Sequence, residues 1–540
     1  MTLEQKVGQF FFPAVFINDS EEHIQEMESL IKKYNIGGLT FFHSRASAAT
    51  NYESNKKIEF NDDSAIRLQE LIVRYQKCAS TPLLMSIDAE WGLAMRVEKT
   101  PQYPYAITLG ALPDSEIDLV YQVGKQIGLD LKSVGIHYNL APLADVNNNP
   151  NNPVIGYRSF GEDKIKVADF AVAYLQGLTD AGVLGCLKHF PGHGNTSVDS
   201  HLGLPVLQES REELMENELV PFIEGIKNNV DSIMIGHLAV RSWNENQNTS
   251  ATLSKNIIET LLRKELGYKG LVISDALNMH SVSKLYEKKG QLEWEAFHAG
   301  NDVLCFAENV AEGIDEIVKN ASLERINASF DRIMQCKEKV GILDIDNQID
   351  INNTVDFDFN KTSDLNSKIA QKSITTLIDS DNTNSIFEAQ KKNGLAKVSI
   401  YKEANNYFFE TLESELPTSN FYYTANNNNN NNNNLEVLKS QLNAFETVLI
   451  ALFVPKAKPL HNFEIEDSVL HFLSELLQNK NCFVYTFGNP YALQIIPNLK
   501  KAKGLVHTYQ DFKEFQEITA KQLLNNDKSK GTLPVKINML

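Results

Sequence analysis

The sequence predicts an α/β protein whose first part is a TIM-type (β/α)8 barrel and whose second part is a smaller α/β domain. Short apolar, β-rich runs alternate with amphipathic helical patterns, which is the signature of parallel βα units. Eight such units within about 310 residues match the strand count and size of a barrel. Titratable residues also gather at the carboxyl ends of several runs, where a barrel mouth builds its site.

The strand-like runs are 9–16, 36–42, 83–88, 136–141, 183–189, 233–238, 271–275 and 303–306. Helical patterns separate them at 22–33, 64–78, 114–133, 163–181, 211–228 and 255–266. A doubly wound open sheet is the alternative, but no GxGxxG follows a first strand. The pattern at 323–341 predicts a helix that closes the barrel. The barrel is assigned to residues 1–343 and a polar, Asp/Asn-rich linker to 344–364. The second domain, 365–540, shows strand-like runs at 373–378, 397–401, 447–454, 482–487 and 504–507. Its nine consecutive asparagines, Asn426 to Asn434, cannot pack a core and read as a disordered loop.

A chain of 540 residues with 42% hydrophobic and 22% charged content is a folded multidomain protein. Its formal net charge of −18 argues against binding nucleic acid or anionic membranes, both of which need basic patches. The 5 cysteines are scattered, without CxxC spacing, and read as buried free thiols. No apolar run reaches the length of a membrane-spanning helix. The first residues enter an amphipathic helix and carry no signal peptide. That fits a cytoplasmic protein, or a cell-envelope protein whose leader has been removed.

The densest chemistry lies at Lys188-His189-Phe190-Pro191-Gly192-His193-Gly194, followed by Asp199-Ser200-His201. Polar groups appear where a buried run ends and a glycine-rich loop begins, a usual place to build a site. Asp88, His189, His237 and Asp275 all lie at the carboxyl ends of strand-like runs. Asp275 is desolvated on one side and open on the other, which suits a nucleophile or general base, and also a helix N-cap. Asp88, Trp91 and Arg96 form a combination suited to a sugar: carboxylates bridge paired hydroxyls and an aromatic face covers the ring. A surface salt bridge with a core tryptophan is the alternative. Arg158 is a further hydroxyl- or anion-binding candidate, and Lys188 and His189 add fixed donors.

Asp199 and His201 are separated by one residue, so an extended loop can turn both toward one site. A carboxylate on one imidazole nitrogen fixes the tautomer and leaves the other nitrogen to exchange a proton near neutral pH. Together with Asp275 this supplies the two roles of a retaining glycoside hydrolysis, with histidine in place of one carboxylate. Zinc binding by His189, His193, Asp199 and His201 is the rival reading, without HExxH spacing to support it.

These segments together resemble family 3 glycoside hydrolases, and specifically their β-N-acetylglucosaminidase branch. The resemblance runs from Leu3-Glu4-Gln5-Lys6-Val7-Gly8-Gln9 through Asp88-Ala89-Glu90-Trp91-Gly92 and Gly156-Tyr157-Arg158-Ser159-Phe160-Gly161. It continues through the Lys188–Gly194 segment to Ser274-Asp275-Ala276-Leu277-Asn278-Met279, and Gly531-Thr532-Leu533-Pro534-Val535 resembles the end of the family's α/β sandwich domain. It implies His201 as acid/base, Asp199 as its partner and Asp275 as nucleophile. It further implies Asp88, Arg96, Arg158, Lys188 and His189 around the non-reducing sugar, with His237 lining the pocket. No metal or organic cofactor is implied, and muropeptide fragments are the expected substrates. A β-glucosidase or a phosphorylase on the same scaffold are the enzyme alternatives, and a sugar-binding module the non-enzyme one. At Trp91-Gly92-Leu93-Ala94-Met95 the chain departs from the glycine-rich, Arg-containing stretch of single-domain relatives, which implies a different shape beside the N-acetylated sugar.

Overall fold

A computed structural model describes residues 1–45, 60–196, 203–244, 248–344, 355–379, 382–425 and 435–538. The chain divides into two compact units. The first comprises Met1–Tyr103, Val120–Ser159 and Asp163–Thr362; the second comprises Pro104–Leu119, Phe160–Glu162 and Ser363–Leu540.

The first unit is a (β/α)8 barrel. Strand β1 comes in two pieces, Phe11–Phe12 and Ala14–Phe16, on either side of Pro13, which has no N–H to give a ladder. It is followed by β2 (Gly38–Phe42), β3 (Leu84–Ile87), β4 (Tyr138–Asn139), β5 (Cys186–Phe190), β6 (Ser232–Ile235), β7 (Leu271–Ser274) and β8 (Leu304–Cys305). Every ladder between neighbours is parallel. Single bridges, Tyr138 to Leu184 and Ile273 to Val303, continue the ring where ladders are short. Pairing of Phe11 with Leu304 and Phe12 with Cys305 closes it.

Small polar side chains fill part of the interior in mutually satisfied pairs. Thr40 Oγ1 lies 2.9 Å from Ser86 Oγ, and Tyr138 donates to Ser232 Oγ at 2.6 Å. Such groups are tolerated in a core because each has its partner. Phe12 fills the space beside Gly38, where any Cβ would come within 2.6 Å of its ring.

At the amino end of the strands, Asp302 ties the last strand to the closing helix, Leu323–Lys339. It accepts from Arg263, Arg325 and Arg332 at 2.7, 3.0 and 2.9 Å. Lys337, on the same helix, donates to Gln9 Oε1 and Pro82 O, both at 2.6 Å.

The helix expected at 211–228 is two helices, Arg211–Glu216 and Val220–Lys227. Pro221 explains the break: proline sits well in a first turn and badly in a helix interior.

In the second unit a six-stranded sheet is built from β9 (Thr375–Ile378), β10 (Leu395–Ile400), β11 (Ser419–Tyr423), β12 (Thr447–Phe453), β13 (Asn481–Phe487) and β14 (Gly504–His507). The spatial order is β9-β14-β13-β12-β10-β11, with β9 antiparallel at one edge. Helices of this unit pack on the sheet to complete the α/β sandwich. Strand β11 was not among the expected runs. It is a largely exposed edge strand, so it lacks the apolar signal that marks buried parallel strands. The expected linker 344–364 reaches into a helix, Phe359–Ser373. Residues 426–434, expected as a disordered loop, lie outside the described residues.

Candidate active site

Asp88 immediately follows β3, Lys188 and His189 lie within β5, His237 follows β6 by one residue, and Asp275 immediately follows β7. Parallel pairing brings these ends to one mouth. There the side chains build a continuous chain of ion pairs. Arg96 donates to Asp88 Oδ2 at 3.1 Å, and Lys188 Nζ lies 2.8 Å from Asp88 Oδ1 and 2.8 Å from Glu90 Oε1. Arg158 closes the far end with two bonds to Glu90, 2.9 and 2.7 Å. That bidentate fork fixes the carboxylate plane as well as its charge.

Burial opposes ionisation of both carboxyls, and their cationic neighbours outweigh it. Lys188 and Arg96 hold Asp88 well below the usual carboxylate range. Arg158 and Lys188 hold Glu90 down at about 2. Lys188 is almost fully buried, yet Asp88 and Glu90 raise its pKa against the desolvation. Three cations against two carboxylates leave the network with one net positive charge at neutral pH.

A second cluster surrounds His189. Its Nδ1 lies 2.8 Å from Asp145 Oδ2. The other oxygen, Oδ1, accepts the backbone N–H groups of His189 and His193 at 3.1 and 2.7 Å. The buried carboxylate therefore sets the orientation of the His189 ring through Nδ1. His193 packs edge-on against His189, 5.9 Å between centroids. Burial, with the charge of His189 next, pushes its pKa down to about 4, so it is neutral; the charge of Asp275 acts in the opposite sense. The glycines of this segment have separate reasons. Gly192 has φ +129°, and a Cβ on Gly194 would meet the carbonyl of Val146 at 1.7 Å.

Asp275 Oδ1 accepts the N–H of Ala276 at 2.8 Å, which turns the chain out of β7. His237 is fully buried. Its Nε2 lies 2.9 Å from the carbonyl of Ala276 and its Nδ1 2.8 Å from Thr252 Oγ1. A carbonyl only accepts, so Nε2 carries the proton. The ring thereby braces the residue after Asp275.

Of the residues singled out in the sequence, Asp88, Arg96, Arg158 and Lys188 form one network, and His189, His237 and Asp275 stand at neighbouring strand ends. Asp199 and His201 lie outside the described residues. Sequence reasoning missed Glu90 and Asp145. Glu90 had a signal in its spacing from Asp88, since residues two apart in an extended segment share a side. Asp145 had only its place after a strand.

The sequence model of the glycosyl hydrolase family 3 N-terminal domain matches residues 2–336. The chain belongs to this family. The match covers the whole ring of eight strands. A β-hexosaminidase A of Pseudoalteromonas piscicida is 34% identical over 344 residues, which span 58% of this chain and 55% of that relative. A solved family 3 β-N-acetylglucosaminidase from Paenibacillus sp. FPU-7 is 26% identical, covering 100% of both chains with a TM-score of 0.78. A β-glucoside phosphorylase, 19% identical, superposes over 100% of this chain and 95% of its own with a TM-score of 0.80. At that identity the likeness is one of fold. Among the described residues no helix is long and apolar enough to cross a membrane.

Proposed function

We propose that the protein is a retaining exo-β-N-acetylglucosaminidase that removes terminal β-linked N-acetylglucosamine by double displacement. The observation that carries the reading is the network from Arg96 to Arg158, gathered at the barrel mouth to which Asp275 also belongs. Relatives at 34% and 26% identity that bear β-hexosaminidase and β-N-acetylglucosaminidase names support the choice of sugar.

In this mechanism Asp88, Arg96, Lys188, Arg158 and His189 hold the hydroxyls of the non-reducing sugar, with Glu90 fixing Lys188 and Arg158. Asp275 attacks the anomeric carbon through a carboxylate oxygen as the bond to the leaving oxygen breaks. His201, oriented by Asp199, gives its proton to that oxygen. Water then attacks the glycosyl ester, losing its proton to His201 and releasing Asp275. His237 keeps the Asp275 turn in place. No step needs a metal or organic cofactor. Muropeptide fragments are the proposed natural substrates, in keeping with the KHFPGHG and DSH pattern.

The test is turnover of aryl β-N-acetylglucosaminide and aryl β-glucoside, each with and without phosphate. Hydrolysis of the first, unaffected by phosphate, is expected. Preference for the glucoside, or a glycosyl phosphate product, would replace the reading with a β-glucosidase or a phosphorylase. Binding without turnover would leave a sugar-binding module.

A further inference from the structure

Arg96 is gripped from a second side by residues that the proposed mechanism does not use. Phe42 ends β2 and is followed directly by His43, while Arg96 and Glu98 lie two residues apart on the loop after β3. The two segments meet twice. The Arg96 guanidinium sits over the Phe42 ring, 5.3 Å from its centroid. One residue beyond Phe42 and two beyond Arg96, His43 Nε2 and Glu98 Oε1 are 2.5 Å apart.

Both contacts are backed by further packing. The Phe42 ring rests against Phe306 and Phe16, with centroids 5.2 and 6.2 Å away. Glu98 Oε1 also accepts the N–H of Asn61 at 3.2 Å, and the N–H of Glu98 donates to Ser64 Oγ at 2.9 Å. The side chains of His43 and Glu98 are only 9% and 12% exposed, so water screens their contact weakly.

Arg96 itself meets Asp88 through one nitrogen, and its buried Nε has no hydrogen-bond partner among the described residues. A planar guanidinium with an unused donor is useful to a ligand only if its plane is held. The Phe42 face fixes that plane, and the His43–Glu98 contact fixes the loop that carries it.

We infer that His43, Glu98 and Phe42 form a clamp that positions Arg96, so that the affinity of the pocket for sugar hydroxyls depends on residues outside it. This rests on the proposed role of Arg96 as a sugar contact. All three act through Arg96 and are positioning residues. The clamp sets sugar binding and leaves the chemistry at Asp275 unchanged.

The experiment is steady-state kinetics with p-nitrophenyl β-N-acetylglucosaminide, with calorimetric titration of N-acetylglucosamine alongside. His43→Leu is expected to raise KM about tenfold and weaken sugar binding equally, with kcat held within about twofold. Glu98→Gln still offers an oxygen to His43, and should keep KM within about threefold of wild type. In an Arg96→Met background, His43→Leu should add nothing further to KM. Full additivity in that background, or an unchanged KM in His43→Leu, would overturn the inference. If His43→Leu does not fold, Phe42→Leu takes its place with the same expected split and the same overturning results. A wild type inactive on aryl glycosides would overturn the proposed function instead, and the titrations would then decide the clamp alone.

Discussion

The two ends of the barrel hold ionic clusters of similar composition and opposite completeness. At the amino end, Asp302 Oδ1 accepts from Arg325, Arg332 and Ser329, and Oδ2 from Arg263 and the N–H of Val272. Those five donors occupy a group with about four lone-pair sites, so the carboxylate is saturated by protein. At the mouth, Asp88 receives one donor on each oxygen, Lys188 and Arg96, among the described residues. About two lone pairs remain for another molecule. Asp302 is fully buried, while the side chain of Asp88 is 16% exposed. A saturated cluster fastens the ring, and an unsaturated one keeps acceptor capacity at the mouth, as the proposed sugar-binding role requires.

Substitutions can break this contrast. The largest effect on activity is expected at Asp275→Asn, which should lower hydrolysis by about a thousandfold or more with little change in melting temperature. A slow fluorosugar substrate followed by mass spectrometry should label Asp275; a label on another residue would remove it from the nucleophile role. Asp302→Asn should do the reverse. Leaving three arginines without their buried partner costs about 3–5 kcal/mol in denaturant unfolding, with kcat of the folded fraction unchanged. Asp88→Asn should sit between, with kcat/KM down about a hundredfold and a smaller loss of stability.

His201→Ala sharpens the picture at the leaving group. Substrates with poor leaving groups should lose about a hundredfold, and activated aryl glycosides much less. Equal losses would count against a proton-donor role.

The smallest effect is acid stability. Glu90 is held below its ordinary value of 4.5, at about 2. A depressed carboxyl contributes stability above its unfolded pKa, and that contribution disappears as pH falls through the folded value. Wild-type unfolding free energy should therefore fall between about pH 4.5 and 2, and Glu90→Gln should flatten that part of the curve. An unchanged slope would show that Glu90 is not ionised in the network.

Much of the fold was legible because buried parallel strands announce themselves. Each of the eight expected runs overlaps a barrel strand, since a strand covered on both faces must be apolar throughout. Edge strand β11 and the break before Pro221 were harder: one has little apolar signal, and the other depends on how a proline is accommodated. Within the site, the residue types of Asp88, Arg96, Lys188 and Arg158 could be read directly. Their partners could not. Lys188 and Asp88 are 100 residues apart, and Asp145 and His189 are 44 apart.

The sequence by itself determined the alternation of strand and helix, the mouth at which the titratable residues collect, and the residue types available there. Those follow from periodicity and from local chemistry. Only the tertiary structure decided which carboxylate meets which cation, that Glu90 and Asp145 belong with the chosen residues, and that His43 and Glu98 meet beside Arg96. Closing the ring sets strand neighbours, and neighbours set the distances on which every ion pair depends.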